Sequence, residues 1–270
     1  MSYYTSLSGL RAAQTDLSVT ANNIANVGSV GFKKSRAEFG DMMPPSSSTA
    51  GTGTRLKSIT QNFTQGQFEN SSRDLDLAIN GSGFFMTREN GGTGDMTFTR
   101  DGAMSIDANR FLVDSRGANL QAFPVDANGD PTTTALASAI SIQIPEFSTA
   151  TGARLSDVSV DPKGLIMATF SDGSTEPLGS IAVANFSNPA GLRQQGDGRW
   201  TVTSDSGPVQ TGTAKTDGVG TIMTGAIERA NVDLTEELVA LIAAQRNFQA
   251  NAKAIETANA LTQTVTNLRN

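Results

Sequence analysis

The sequence predicts an α+β protein in which a mainly antiparallel β-sandwich or barrel is inserted between paired, coiled-coil-like N- and C-terminal helices. Three observations support this. Both ends of the chain carry apolar stripes at helical spacing, whereas the middle alternates short apolar runs with turn residues. The 27 glycines and an aromatic content of only 6% also suit a turn-rich β body with a lean core.

The N-terminal stripe steps by fours and threes over about three heptads, which is the spacing of a helix with a partner. It ends at Asn26-Val27-Gly28, where glycine suits a helix C-cap. All but one of its members are apolar or small: Tyr3, Leu7, Leu10, Gln14, Leu17, Ala21 and Ile24.

The C-terminal stretch 230–270 contains no glycine or proline and carries a second stripe. Asn231 or Asp233 can cap the start of the helix. Glu236 and Glu237 lie in its first turn, where the helix dipole favours negatively charged side chains. At ~1.5 Å per residue such a helix spans roughly 55 to 60 Å, too long for one face of a compact domain. We therefore expect the two terminal helices to pair, although two ordinary surface helices are the alternative. The stripe consists of Leu234, Leu238, Leu241, Ala244, Phe248, Ala252, Ile255, Ala258, Leu261, Val265 and Leu268.

Between the helices, the sequence predicts two further regions. Residues 30–70 are predicted to form an extended connector, and residues 71–229 the β domain. The helical core is predicted to comprise residues 1–29 and 230–270. Short apolar runs bounded by turn pairs such as Asp101-Gly102 predict the strands, and 104–106 with 111–113 predict a hairpin. The strands are expected at 75–79, 83–86, 97–100, 104–106, 111–113, 120–125, 140–144, 158–160, 165–170, 181–186 and 200–203.

The composition excludes several classes of function. A net charge of −6 without a basic stripe argues against nucleic-acid binding. The absence of cysteine and histidine removes thiolate nucleophiles, the usual general base and the commonest metal ligands, which excludes serine-triad and zinc-hydrolase chemistry in their usual forms. Enzymes that use carboxylates alone remain possible by composition, but we predict no enzyme activity, metal or cofactor. No apolar run reaches the ~20 residues of a membrane span, which argues against membrane insertion, and we expect no cleaved signal peptide.

Two motifs resemble ligand sites but favour simpler interpretations. Asp126, Asn128 and Asp130 alternate like a calcium loop, yet Pro131 and Ala137 occupy the positions that an EF-hand fills with Gly and Glu. We therefore expect a plain turn there. Gly81-Ser82-Gly83 is too short for a phosphate cradle and predicts a tight turn or bulge.

Two charged clusters and the single tryptophan also favour a structural role over a catalytic or binding role. Asp74 and Asp76 share one face of a strand and could do acid–base chemistry, but beside Arg73 they favour a solvated edge. The basic cluster of 33–36 is typical of a solvated loop. Trp200, the single tryptophan, predicts core packing.

The polar faces of both helices are rich in amides rather than in charges. A helix that faces water usually carries charged side chains. Amides can form hydrogen bonds across an interface without the desolvation cost of ions, so they favour a helix surrounded by other helices in a polymer. These amides are Gln14, Asn22, Asn23, Asn26, Gln245, Asn247, Gln249, Asn251, Asn259, Gln263 and Asn267.

The two terminal segments of the sequence resemble those of the family of bacterial flagellar rod and hook axial proteins. Ser8-Gly9-Leu10, Asn22-Asn23-Ile24-Ala25-Asn26 and Gly31-Phe32-Lys33 match its N-terminal signature. Residues 230–234, Glu237, Gln245-Arg246-Asn247-Phe248 and Asn251 match the C-terminal one, with Ala230 in place of the usual Ser. The signature residues are Asn22, Asn23, Asn26, Gly31, Phe32, Asn231, Asp233, Gln245, Arg246 and Asn251.

The resemblance implies a structural subunit that polymerises into a helical tube, transmits motor torque and surrounds the export channel. Residues 59–79 and 179–207 are most similar to hook subunits; a distal rod subunit is the alternative, and a secreted β-rich enzyme or adhesin a distant one. The implied partners are further copies of the chain, the rod protein below, the hook cap during assembly, the hook–filament junction protein above and the flagellar export apparatus. The implied location is the flagellum, in the hook at the cell exterior or in the basal-body region.

We expect the apolar stripes to form the assembly interface. Its predicted members are Leu7, Leu10, Leu17, Ile24, Leu234, Leu238, Leu241, Phe248, Ile255, Leu261 and Val265. Hook proteins commonly carry an outer β domain where this chain has only 126–157, so this segment is interpreted as a vestige of that domain on the surface of a single β domain.

Overall fold

A computed structural model of the chain describes residues 2–42, 51–89, 94–216 and 218–267. Contacts divide the chain into two compact units. The first, called the helical unit, comprises 1–27, 33–62 and 232–270; the second, called the β unit, comprises 28–32 and 63–231. In this division, residues 33–62 belong to the same unit as the helices, whereas the sequence predicted a separate connector over residues 30–70. The domain boundaries predicted from the sequence stay a prediction.

The helical unit contains two helices and one hairpin. Helix α1 spans Ser2–Ala25 and α2 spans Leu234–Asn267; strands β1 (Ser35–Asp41) and β2 (Thr54–Gln61) pair in antiparallel fashion. The 34 residues of α2 extend about 51 Å at ~1.5 Å per residue. Its start agrees with the sequence, because Asp233 Oδ1 accepts hydrogen bonds from the N–H groups of Thr235 (2.8 Å) and Glu236 (3.1 Å).

The β unit is built from seventeen described strands, and all of the pairings between them are antiparallel. The bounds are β3 (Phe68–Asn70), β4 (Leu77–Asn80), β5 (Phe84–Arg88), β6 (Met96–Thr99), β7 (Ser105–Ile106), β8 (Leu112–Val113), β9 (Asn119–Phe123), β10 (Ile140–Ser141), β11 (Leu155–Val160), β12 (Leu165–Phe170), β13 (Thr175–Ile181), β14 (Val183–Asn185), β15 (Arg193–Gly196), β16 (Arg199–Thr201), β17 (Gln210–Gly212), β18 (Thr221–Thr224) and β19 (Ala226–Glu228).

A large sheet organises these strands in the order β11-β12-β13-β9-β5-β6-β16-β15, with β7, β8, β10, β14 and β17 branching from it. Two small sheets pair β4 with β18 and β3 with β19. Two helices and a large antiparallel sheet region make the fold α+β, as the sequence predicted.

Two apolar clusters form the core of the β unit. The first contains Leu77, Phe85, Leu120 and Ile166 among its fully buried members. The second is aromatic: Phe84 lies edge-on to Trp200 with ring centroids 5.5 Å apart, and Phe98 packs on Phe186 at 4.9 Å. Trp200 is fully buried, which confirms its predicted place in the core.

Several sequence expectations differ from the observed strands. The predicted hairpin is confirmed, since β7 pairs with β8. In contrast, β13 was not predicted, because Pro177 and Gly179 interrupt its apolar pattern. The strand expected over 140–144 narrows to β10, which pairs with β9, while Ile142 and Ile144 are buried in the first core cluster.

Two predictions about charged side chains are wrong. Asp76 is not at a solvated edge: it is buried, and its carboxylate accepts a hydrogen bond from the Ser71 hydroxyl. Asp74, which was expected at the same edge, is exposed. Lys33, expected in a solvated loop, is 1% exposed. In both cases the local sequence is polar, but packing in the folded chain covers the side chain.

The remaining motifs form turns. Asp126 Oδ1 accepts hydrogen bonds from the backbone N–H groups of Asn128 (2.9 Å) and Asp130 (3.0 Å), which holds its own turn and lowers the pKa of Asp126. Gly83 has a φ of 132°, and a Cβ there would lie 2.6 Å from Val183 Cγ1. The tight turn predicted at Gly81-Ser82-Gly83 therefore requires glycine.

Candidate assembly interface

A buried amide joins the three elements of the helical unit. Asn23 on α1 is 1% exposed. Its Nδ2 donates hydrogen bonds to Ser35 O (2.8 Å) at the start of β1 and to Glu237 Oε2 (3.1 Å) on α2, while its Oδ1 accepts from Ser35 N (2.9 Å). One asparagine thus satisfies both backbone groups of Ser35 and holds a carboxylate of the other helix.

Glu237 completes this cluster with an ion pair. Lys34 Nζ lies 2.6 Å from Glu237 Oε1 and 3.6 Å from Glu236 Oε2. Glu237 is 3% exposed, whereas the Glu236 side chain is largely in water. The hydrogen bond to Glu237 raises the pKa of Lys34, and burial followed by repulsion from Glu237 raises the pKa of Asp16.

The two helices also approach closely at a second point. A Cβ added to Gly9 on α1 would lie 2.6 Å from Oδ1 and 2.9 Å from Cγ of Asn251 on α2. The Asn251 side chain is held by its own donated hydrogen bond to Asn247 O (2.9 Å). Gly9 and Asn251, both in the signature segments, therefore fit each other in shape.

An apolar patch of α2 remains uncovered. Leu234, Leu238, Val239 and Ile242, called the α2 patch below, are 45%, 44%, 64% and 49% exposed. The predicted interface contains Leu234 and Leu238 but not Val239 and Ile242. The signal for the missed residues is the doubling of apolar residues at 238–239 and 241–242, which makes the apolar surface wider than one helical seam.

The other predicted interface residues are distributed along both helices. Leu261 is exposed, and the side chain of Val265 lies outside the described part of the chain. The half-buried members are Leu7, Leu10, Leu17, Ile24, Leu241, Phe248 and Ile255.

A groove of about 430 Å³ runs beside α1. One wall is the face of α1 that carries Tyr4, Leu7, Arg11 and Thr15; Arg55 and Leu56 lie among the hairpin residues that line it. Tyr4 and Leu56 remain exposed, so the groove, called the α1 groove below, presents apolar surface to solvent.

Within the β unit, the signature residue Gly31 lies next to a buried ion pair, and its N–H donates to Glu228 O at 2.7 Å. The signature residue Phe32 is buried. Gly31 has a φ of 67°, and a Cβ there would be 2.5 Å from the Arg100 carbonyl carbon. Arg100 Nη1 donates to Glu228 Oε2 (2.9 Å), and Glu228 Oε1 accepts from Gly66 N (2.8 Å). Burial lowers the pKa of Arg100, and Glu228 opposes that shift. The glycine is required because no side chain fits between these backbones.

The other signature residues have simpler environments. Asn231 Nδ2 donates to the backbone oxygen and hydroxyl of Thr64, both at 3.0 Å. Asn26 Nδ2 donates to Asn22 O at 2.9 Å, near the end of α1. Gln245 and Arg246 are exposed on α2.

The described residues hold no cluster of three or more acidic side chains that could bind a metal ion. None of the described helices is long and apolar enough to cross a membrane.

Comparisons with known proteins match both ends and part of the middle of the chain. Three family models match: flagella basal body rod protein over residues 4–33, flagellar hook protein FlgE/F/G D1 domain over 78–168, and flagellar basal body rod FlgEFG protein C-terminal over 223–268. The first and third cover the two helices, and the second covers much of the β unit.

Full-length relatives match as well. The basal-body rod protein FlgG of Borreliella burgdorferi is 32% identical, covering 98% of this chain and 97% of its own length, and FlgG of Bacillus subtilis is 33% identical, covering 99% and 98%. The hook protein FlgE of Escherichia coli is 27% identical over 406 aligned positions, covering all of both chains.

These relatives are structural components of the bacterial flagellum and not enzymes. With identity above 30% over nearly the whole length of two rod proteins, and family models on both helices and the β unit, the chain belongs to the flagellar hook and basal-body rod protein family.

Proposed function

We propose that the chain is the structural subunit of a flagellar hook, which polymerises into a helical tube around the export channel and transmits motor torque. The α2 patch carries the assembly part of this proposal. Four large apolar side chains exposed within nine residues are unusual for a monomer in water, and they favour burial against another chain. The predicted interface residues on both helices are then shared between the contact of α1 with α2 and contacts with neighbouring copies.

The pairing of the terminal helices into a coiled-coil-like rod is part of the same proposal. The hydrogen bond from Asn23 to Glu237 and the close approach of Gly9 to Asn251 support it, because they connect α1 and α2 at two separate levels. A rod of this kind presents amides and apolar residues together, which suits close packing among many copies.

The assignment to the hook rests on the resemblance of residues 59–79 and 179–207 to hook subunits. In the β unit, these stretches supply the aromatic residues Phe63, Phe186 and Trp200 of the second core cluster. The partners of a hook subunit follow from this proposal: the rod below, the cap during assembly, the junction protein above and the export apparatus.

A distal rod subunit is the second candidate. Two rod relatives align at 32% and 33% identity over almost their whole length, whereas the hook alignment extends over 406 positions against the 270 residues of this chain. Length therefore favours the rod, and the two hook-like stretches favour the hook.

Immunogold labelling of isolated hook–basal bodies separates the two candidates. A strain that carries an epitope-tagged copy as its sole source of the protein should show label on the curved segment outside the cell. Label confined to the shaft that crosses the envelope would establish the rod assignment instead. Label on neither structure, in cells that produce the protein, would overturn the axial function.

A further inference from the structure

The helical unit carries an exposed apolar patch on α2 and a groove with apolar walls beside α1. We propose that the α2 patch of one copy docks into the α1 groove of the next copy. This inference rests on the proposed function as a homopolymer and specifies which residues join neighbouring subunits.

The dimensions of the two surfaces agree. The groove follows one face of α1 from Tyr4 to Thr15, a length of about 17 Å at ~1.5 Å per residue. The patch extends from Leu234 to Ile242, about 12 Å by the same rise. Apolar anchors at helical spacing that enter a hydrophobic groove are a recurrent mode of helix recognition. A second copy of the chain supplies such a helix, because every copy carries one α2 patch and one α1 groove.

The charges around the α1 groove indicate that the start of α2, rather than its end, binds there. Arg11 and Arg55 line the groove, and neither forms a salt bridge with a described residue. Asp233 and Glu236 lie exposed at the start of α2, beside the patch, and Glu236 also lies 3.6 Å from Lys34 Nζ of its own chain. Docking brings opposite charges together at the edge of an apolar contact, which fixes its direction. Leu261 is equally exposed, but its segment 258–267 has no acidic residue to complement the arginines.

The contact is heterologous, because patch and groove are different surfaces of the chain. A copy that offers its patch to one neighbour still has a free groove for another. Heterologous contacts repeat into rings or open helical filaments rather than closed twofold dimers. The geometry therefore suits an axial polymer.

Disulfide trapping tests the contact directly, because the chain has no native cysteine. One epitope-tagged chain carries Leu56→Cys and a differently tagged chain carries Leu238→Cys, and both are expressed in one cell. A disulfide between them necessarily joins different copies. On oxidation of isolated axial structures we expect an abundant heterodimer carrying both tags. The matched pair of Leu56→Cys with Leu261→Cys should give at least tenfold less.

A charge exchange gives an independent measurement. Arg55→Glu and Glu236→Lys should each reduce polymer yield about tenfold, and the two substitutions together in one chain should restore it. Circular dichroism of each purified variant checks that the helices are retained. Restoration is not expected if the two residues act at separate places.

The outcomes distinguish this contact from the general function. Axial polymers that contain both tagged chains but lack the Leu56–Leu238 disulfide, or form the Leu261 disulfide equally well, would overturn the docking while leaving the proposed function intact. A wild-type chain that enters no axial structure would overturn both.

Discussion

Asn23 and Glu237 are polar side chains that the helical unit keeps almost entirely from water. Burying them is tolerated because each has partners: Asn23 binds the backbone of Ser35, and Glu237 receives both the Asn23 amide and the Lys34 ammonium. A buried carboxylate without such donors would cost several kcal/mol. The family signature at these positions therefore has a physical meaning in the fold of one chain, in addition to any role in assembly.

Replacing the buried carboxylate should loosen the start of α2. Glu237→Gln retains the shape but removes the charge that Lys34 and Asn23 share, and hydrogen bonds to charged groups contribute about 2 kcal/mol. Amide hydrogen exchange over residues 238–248 should then quicken about thirtyfold. The control is Glu236→Gln, which removes a largely exposed partner of the same lysine and should change exchange less than threefold. Equal effects of the two substitutions would contradict the role of Glu237.

Asp16 should make the stability of the chain depend on pH. Its pKa is raised above the ordinary value of 3.8 in the folded chain, first by burial and then by Glu237. Between 3.8 and the raised value the folded state binds more protons than the unfolded state, so stability falls as pH rises through this window. Asp16→Asn removes this loss and should raise the urea midpoint at pH 7, with little effect at pH 3.

The control for Asp16 is Asp157→Asn, which removes one negative charge at an exposed position of the β unit. It separates the local effect from a general change in net charge. An Asp16→Asn midpoint that is unchanged at pH 7, or shifted by the same amount at pH 3, would count against the prediction.

At the scale of elements, the two helices show how small residues set their approach. Gly9 is in the middle of α1, where glycine is less favourable than alanine by about 1 kcal/mol. The sequence retains it because a Cβ would meet the Asn251 side chain. Local helix propensity and the fit between helices therefore oppose each other at this position.

A double-mutant cycle tests that opposition. Gly9→Ala should bring no gain in stability, because the Asn251 side chain has to move. In an Asn251→Ala background the same change should stabilise the chain by about 0.5 to 1 kcal/mol, as the clash is gone and the propensity gain remains. Chemical unfolding followed by far-ultraviolet circular dichroism supplies the values. A gain of the same size in both backgrounds would show that the helices do not approach here as described.

At the scale of the whole molecule, the β unit and the helical unit have different kinds of core. The β unit buries two apolar clusters within itself. The described α2 residues of the helical unit instead leave large apolar side chains in water. We therefore expect the β unit to fold in the monomer and the exposed apolar residues of α2 to be covered only on assembly.

A charge placed on the half-buried face of α2 should block assembly. Ile255→Asp introduces a carboxylate that loses several kcal/mol of hydration when a neighbour covers it, and the cost is repeated in every subunit. We expect no detectable polymer by electron microscopy, with Trp200 fluorescence showing a folded β unit. Gln249→Asp, at an exposed position of the same helix, is the matched control and should assemble more than tenfold better. Polymers of normal yield from Ile255→Asp would refute the prediction.

The sequence by itself determined the two helices, a cap of α2 at Asn231 or Asp233, the hairpin of β7 and β8 and the burial of Trp200, because each depends on periodicity, turn chemistry or hydrophobicity over a few residues. It also determined the family, through signatures at both ends. Only the tertiary structure decided that Lys33, Asp76 and Glu237 are buried and that Val239 and Ile242 are not. The physical reason is that burial of a polar group depends on partners that lie far away in the chain: Asn23 and Glu237 are 214 residues apart, and no local pattern records their contact.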